Sequence, residues 1–297
     1  MPANRYIEAI ASLKPDQGWI IPSPIADRAF RKRNLGPYRT RGTIGDFPVE
    51  PENIGELLYG AFGNVLTTNP ASGVYLHTFS PADSLPSYTF HIGSEQKERL
   101  VRGSLVEALT IKFAHDDDLK ARAEILSGWV ESSQNLETVA FSTLQALNML
   151  TATNILTIDG ISKKYEIYDL EITIKNNIPF DRGNLGSRQF TIKRYGAREV
   201  TGKLSAYFDN TEEYDRFIAG NEFTLIIHVD GPVITGAYKY YLEFELRKCI
   251  YLRDVAPDIA AINEPLVVDA PFKAFYDTYG GFNAEAKAKL QNAISAY

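Results

Sequence analysis

The sequence predicts a mainly β protein, arranged as two tandem β-sandwich or half-barrel domains, each with one short flanking α-helix. Three observations carry that expectation. The chain of 297 residues holds 17 Tyr and 16 Phe but only 2 Met, which favours strands over helical bundles. Apolar and polar residues alternate with period two along most of its length. Segments 160 positions apart repeat one order of features, the mark of an internal duplication.

The elements follow in order. Met1 to about Leu35 reads as an arm; Pro15, Pro22 and Pro24 break it, and it lacks the basic-then-apolar pattern of an export leader. Pro51–Tyr59 opens with Pro and acid, as a first helical turn should, and is expected to stop near Gly60. Strands are expected at 74–79 and 87–92. Leu105, Leu109, Ile111 and Phe113 alternate with polar neighbours, as do Leu119, Ala121, Ala123 and Ile125. Leu136–Leu150 fits a helix or an irregular arm equally. Tyr168, Leu170, Ile172 and Ile174 form one face against Asp169, Glu171, Thr173 and Lys175. Leu204, Ala206 and Phe208 continue the pattern. Asn210–Ile218 reads as the second helix, with Asn210 as N-cap, Glu213 at the reciprocal capping position and Gly220 as its stop.

Two long strands follow. Phe223, Leu225, Ile227 and Val229 alternate with Thr224, Ile226 and His228, and Tyr240, Leu242, Phe244 and Leu246 with Tyr241, Glu243, Glu245 and Arg247. One buried and one wet face is the pattern of antiparallel sheets. The Ala/Lys-rich run from Asn283 to Ala296 reads as a closing helix. The 160-residue shift superposes Gly36 on Gly196, Gly42 on Gly202, Glu52 on Glu212 and Gly60 on Gly220. It also sets 74–79 and 87–92 where 223–229 and 238–246 lie. The expected organisation is an arm over 1–35, a first domain over 36–130, a linker over 131–153 and a second domain over 154–297.

Composition excludes several classes. With 31 Lys+Arg against 37 Asp+Glu the net charge is −6, unsuited to gripping nucleic acid through its phosphates. No apolar run approaches the ~20 residues of a membrane helix. Cys249 is the only cysteine, so neither an intrachain disulfide nor a four-thiolate zinc site is possible, and a cytoplasmic folding environment is the default.

Phosphate loops, dinucleotide fingerprints, nucleophile elbows and zinc-binding helix motifs are missing from the sequence. His77, His91 and His228 read as packed or solvated strand residues, His115–Asp118 as a polar hairpin turn, and Cys249 as a small core residue. No catalytic residue, cofactor or metal is expected. Two carboxylate pairs, Asp169/Glu171 and Glu243/Glu245, each project from one strand face. Such pairs suit either a glycosidase or a solvated, pore-facing surface. The long polar loop Asn176–Gln189, with Asp181, Arg182, Asn184 and Arg188, suits contact with a partner.

The order of segments resembles the tail tube proteins of long-tailed bacteriophages. The resemblance is carried by Glu52–Gly63, Gly73–Phe79, Leu85–Thr89, Gly103 with its long strand, Tyr195–Gly202, strand Lys203–Asp209, helix Thr211–Ala219 and Pro271–Asp277, and spans roughly residues 36–297. It implies tail-tube-like domains that polymerise into stacked rings, a virion tail component assembled in the host cytoplasm, and a conduit for genome ejection. It implies self-association, other tail proteins (tape measure, terminator, baseplate or tip) and double-stranded DNA in transit only. With the duplication it implies a homotrimeric, pseudo-hexameric ring. Three chains of about eight inner strands give ~24 strands and a backbone diameter of ~48 Å, wide enough for duplex DNA. Asp169, Glu171, Glu243 and Glu245 are then candidates for an acidic lumen, and Asp181, Arg182, Asn184 and Arg188 for contacts between rings. The inner tube of a contractile tail or injection system shares these features. A glycan-binding or glycan-cleaving sandwich would instead need exposed aromatics beside paired acids.

Overall fold

Among the described residues, alternation resolves into sixteen strands and two α-helices. A computed structural model describes residues 7–20, 33–93, 98–134, 143–151, 153–179, 187–188, 195–208, 210–253 and 266–297. The first half contains β1 (Lys14–Ile20), β2 (Asn34–Pro48), α1 (Gly55–Phe62), β3 (Gly63–Ala71), β4 (Val74–Pro81), β5 (Tyr88–Gly93), β6 (Glu98–Ala114), β7 (Lys120–Ser127) and β8 (Trp129–Gln134). The second contains β9 (Ile155–Ile158), β10 (Ile161–Ser162), β11 (Ile167–Lys175), β12 (Glu199–Tyr207), α2 (Glu212–Ala219), β13 (Phe223–Thr235), β14 (Tyr238–Tyr251), β15 (Val267–Ala274) and β16 (Lys287–Asn292).

Hydrogen bonding orders one layer as β1-β2-β7-β6-β11-β12-β15 and a second as β10-β9-β13-β14-β16-β4-β3. The end of β14 passes between layers, where Cys249–Tyr251 pairs with Phe272–Ala274. Leu170, Ile172 and Ile174 of the first layer, and Leu242, Phe244 and Leu246 of the second, are all buried in one shared hydrophobic cluster. The rings of Phe113 and Phe244 meet edge-on at 6.2 Å, and those of Phe223 and Phe272 at 6.0 Å, so the two apolar faces pack together. The fold is a sandwich of two seven-stranded layers, with β5 and β8 extending the outer part of β6 into a small arm.

The halves join along β6 and β11, paired from Asp169↔Ala114 to Lys175↔Ala108. Asn176, just beyond β11, donates its side-chain amide to Ala61 O at 3.1 Å and Val106 O at 3.0 Å. The 131–153 segment is used as well: within it Leu147 exchanges backbone bonds with Leu119 and Val49 and is 1% exposed. The chain is irregular over 143–150, and 136–142 lies outside the described residues.

Three expectations need correction. The Ala/Lys-rich C-terminus is a strand, β16, clamped between β14 and β4. Ala286, Ala288 and Leu290 face the core while Lys287 and Lys289 face out; tertiary pairing overrides alanine's helix preference. α1 begins and ends later than read: its stop is Gly63, at φ 93°, and Gly60 is buried inside it. The strand directly after α1 is β3, in a hairpin with β4, so that hairpin, and not 74–79 with 87–92, matches the β13–β14 hairpin after α2.

The two halves also share a backbone constraint at one glycine each. Strand β1 runs beside β2 much as β11 runs beside β12. A Cβ on Gly42 would collide with the backbone of Ser12 and Leu13; one on Gly202 would collide with Glu171 O and the Phe272 ring. We therefore expect Gly42→Ala and Gly202→Ala each to lower stability by ~1–3 kcal/mol through overpacking, read as a shifted urea midpoint at unchanged slope.

Candidate functional site

Alternation exports every second residue of each layer, so the charged candidates are placed by strand register alone. Asp169 and Glu171 lie on the outward face of β11, between β6 and β12. Glu171 stands opposite Lys112 on one side and Lys203 on the other, with the Lys112 amine 3.8 Å away. Lys203 binds Asp269 at 2.7 Å, and Lys273 binds Glu199 at 3.2 Å. This face mixes charges: Glu171, Asp269 and Glu199 each have a lysine beside them, while Asp169 stands opposite Ala114 and Ser205.

Glu243 and Glu245 project from β14, in the other layer. Since the two layers join through their apolar faces, the two acid pairs stand on opposite outer surfaces. The four do not share one wall. Glu245 is taken up by Arg247 at 2.6 Å. Glu243 belongs to a network centred on His228: Nδ1 lies 3.0 Å from Glu243 Oε2, and Nε2 lies 3.1 Å from Asp230 Oδ1. Lys289 reaches Glu243 at 2.7 Å, Lys239 reaches Asp230 at 2.9 Å, and Thr153 also bonds Asp230. The Tyr241 ring lies 4.7 Å from the imidazole.

Two carboxylates acting on one imidazole set its charge. The hydrogen bond with Glu243 raises His228 above 6.5; burial opposes this and Asp230 adds to it. The His228 bond, against burial and helped by Lys289, holds Glu243 below its ordinary 4.5. Burial works against ionised Asp230, but hydrogen bonds from Thr153, Lys239 and His228 outweigh it. The network was not anticipated from sequence, where His228 read as an ordinary strand residue. The legible signal was His228 and Asp230 at i and i+2, hence on one strand face.

Among the loop candidates, Asp181, Arg182 and Asn184 lie outside the described residues. Arg188 donates Nε–H to Gly36 O at 2.8 Å and its carbonyl accepts from Tyr38 N at 2.8 Å, so it fastens the loop to β2 of its own chain.

The two helices are held differently. In α1, Leu57, Leu58, Ala61 and Phe62 are buried. In α2 no residue is buried, and Ile218 is 65% exposed. Charge anchors α2: the buried Lys163 amine binds Glu166 at 2.9 Å and Glu212 at 2.8 Å, while Arg216 binds Asp159 and Glu213. Burial alone would depress Lys163, yet its bonds to Glu212 and Glu166 carry it above the ordinary lysine value. The N-cap of α2 is Thr211 and not Asn210; Asn210, one position earlier, accepts from Glu212 N at 3.0 Å. Glu213 does not reach back to complete a capping box; it turns to Arg216 and Tyr251.

Among the described residues, no group of three or more His, Cys, Asp or Glu is placed to hold a metal ion, and Cys249 is buried with its thiol pushed up by desolvation. No helix among them is long and apolar enough to cross a membrane. Ordered sheet, mixed-charge surface and paired halves describe a β-sandwich. The family model for phage tail tube protein matches residues 7–274, and the chain belongs to that family. It is thereby a structural component of a bacteriophage tail. No curated protein matches the sequence.

The network yields a signed pH dependence. A raised His228 contributes fully below its ordinary 6.5 and loses that contribution as pH rises through the raised value; lowered Glu243 and Asp230 contribute fully above their ordinary 4.5 and 3.8 and lose theirs on acidification. Between about pH 5.5 and 8.5 the parent protein should therefore lose more urea stability than His228→Gln, which has no charge to lose.

Proposed function

We propose that this chain polymerises into stacked rings that form the hollow tail tube, through which the genome passes on ejection. The observation that carries this reading is the β6–β11 seam within the family's fold: one half continues the sheet of the other, head to tail, by backbone hydrogen bonds. A head-to-tail interface that repeats between chains closes a ring when its rotation divides the circle. Two halves per chain then favour three chains to a pseudo-sixfold ring. Three first layers of seven strands supply ~21 strands, for a backbone diameter of ~42 Å at ~40° tilt, still wider than a DNA duplex.

In this reading the continuous first layer lines the channel, and Asp169 and Glu171 are its acids. Glu243 and Glu245, on the opposite surface, face outward. A lattice of paired opposite charges presents no basic track along which phosphates could be held by counterion release. Self-association is primary; the tape measure, terminator and baseplate or tip proteins are the expected further partners. The inner tube of a contractile tail is served by the same arguments, and a sheath gene beside this one would select it.

The test is direct. Concentrated protein, alone or with tail initiators, should give rings in negative stain, with the mass of three 33.2 kDa chains. A species that remains monomeric under every assembly condition overturns the reading. Residues 181–186, with Asp181, Arg182 and Asn184, are the proposed contact between rings. Deleting them should leave rings of normal mass that fail to elongate, and tubes of normal length would remove that role.

A further inference from the structure

The two helices end alike and are exposed unalike. Both have eight residues, both close on a left-handed glycine (Gly63 at φ 93°, Gly220 at φ 65°), and each follows a first-layer strand and precedes a hairpin. Aligned by the 160-residue repeat, Ile218 falls on Leu58; aligned by the helix ends, it falls on Ala61. Both first-half residues are 0% exposed, and Ile218 is 65% exposed.

The second half supplies much of what covers α1. Strand β11 pairs with β6, which α1 packs on, and Asn176 binds Ala61 O. Arg198 reaches Ala82 O, Asn292 reaches Pro51 O, and the Tyr297 ring fills the space beside Gly55. The first half holds a counterpart of β11: β1, antiparallel to β2, with its approach to Gly42 matching that of β11 to Gly202. One edge of β11 takes β12 and the other takes β6. One edge of β1 takes β2, and its other edge has no partner strand among the described residues.

We infer that the outer side of β1 and the exposed face of α2 are the two sides of one interface between copies. Residues 9–17 of one chain lie against α2 of the next, as β11 and Asn176 lie against α1 within a chain. The occupant is a second copy of this chain, because the surface that covers the corresponding helix α1 comes from the other half of the same sequence. This rests on the ring reading and names the surfaces that close the ring.

The experiment uses full-length protein with p-benzoylphenylalanine at position 218, photolysed after assembly with an isotope-labelled copy and mapped by mass spectrometry. The expected product joins 218 to residues 9–17 of the other isotopic form. Rings that form but crosslink only within a chain, or to another segment, overturn the inference and leave the ring reading standing. Ile218→Glu, at an exposed position, should keep the parent's circular dichroism and melting temperature while ring yield falls about tenfold or more, an apolar burial having been replaced by a desolvated charge. A folded Ile218→Glu protein that forms rings at the parent's yield also overturns it. If the parent forms no ring at all, the underlying reading falls and takes the inference with it.

Discussion

Backbone hydrogen bonding at strand edges is the constraint on which this molecule turns. A strand leaves every second N–H and C=O pointing sideways, and those groups need partners when water is excluded. Within the chain the demand is met at the β6–β11 seam, where seven consecutive residue pairs weld two halves into one layer. The rest follows. Because the layer is continuous, a single apolar cluster runs beneath both halves, and α1 is sealed by groups drawn from the far half, Asn176 and Tyr297 among them.

The contrast between the helices follows from the same constraint. An apolar helix face is stable only when something covers it. α1 is apolar because it is covered at home. α2 is nearly devoid of core residues and stays on the sandwich through Lys163 and Arg216, whose partners Glu166, Glu212, Glu213 and Asp159 come from the helix and the turns beneath it. Lys163 is buried, and a buried ammonium is tolerable only while fully bonded. Replacing one of its carboxylates would expose that cost, so this anchor is specific rather than merely adhesive.

Much of the fold was legible because period-two alternation is a direct image of a sheet with one buried face. β6, β7, β11, β12, β13 and β14 all lie where Leu, Ile and Phe alternate with polar residues. The C-terminal strand was not legible: Ala and Lys suit a helix when read locally, and only pairing with β14 and β4 makes 287–292 extended. Site residues were harder for a related reason. Register says that an acid faces out, but not which of two outer surfaces it occupies, so Asp169/Glu171 and Glu243/Glu245 looked equivalent until the layers were assembled. His228 was hidden because Glu243, which binds it, and Lys289, which binds Glu243, are brought together by two further strands.

The charge of the first layer bears on how such a surface could serve a polyanion in transit. A uniformly acidic wall would repel DNA but would also repel itself, each added carboxylate opposing assembly of the next copy. Lys112, Lys203 and Lys273 lie within 4 Å of Glu171, Asp269 and Glu199, so repulsion between acids is offset inside each chain. Exposed pairs of this kind add little stability, and their lysines, already engaged, are poor phosphate ligands. Neutralising in place keeps the face hydrated without making it adhesive. That compromise would be lost if the lysines were grouped on one strand, where they would become a track for the phosphate backbone.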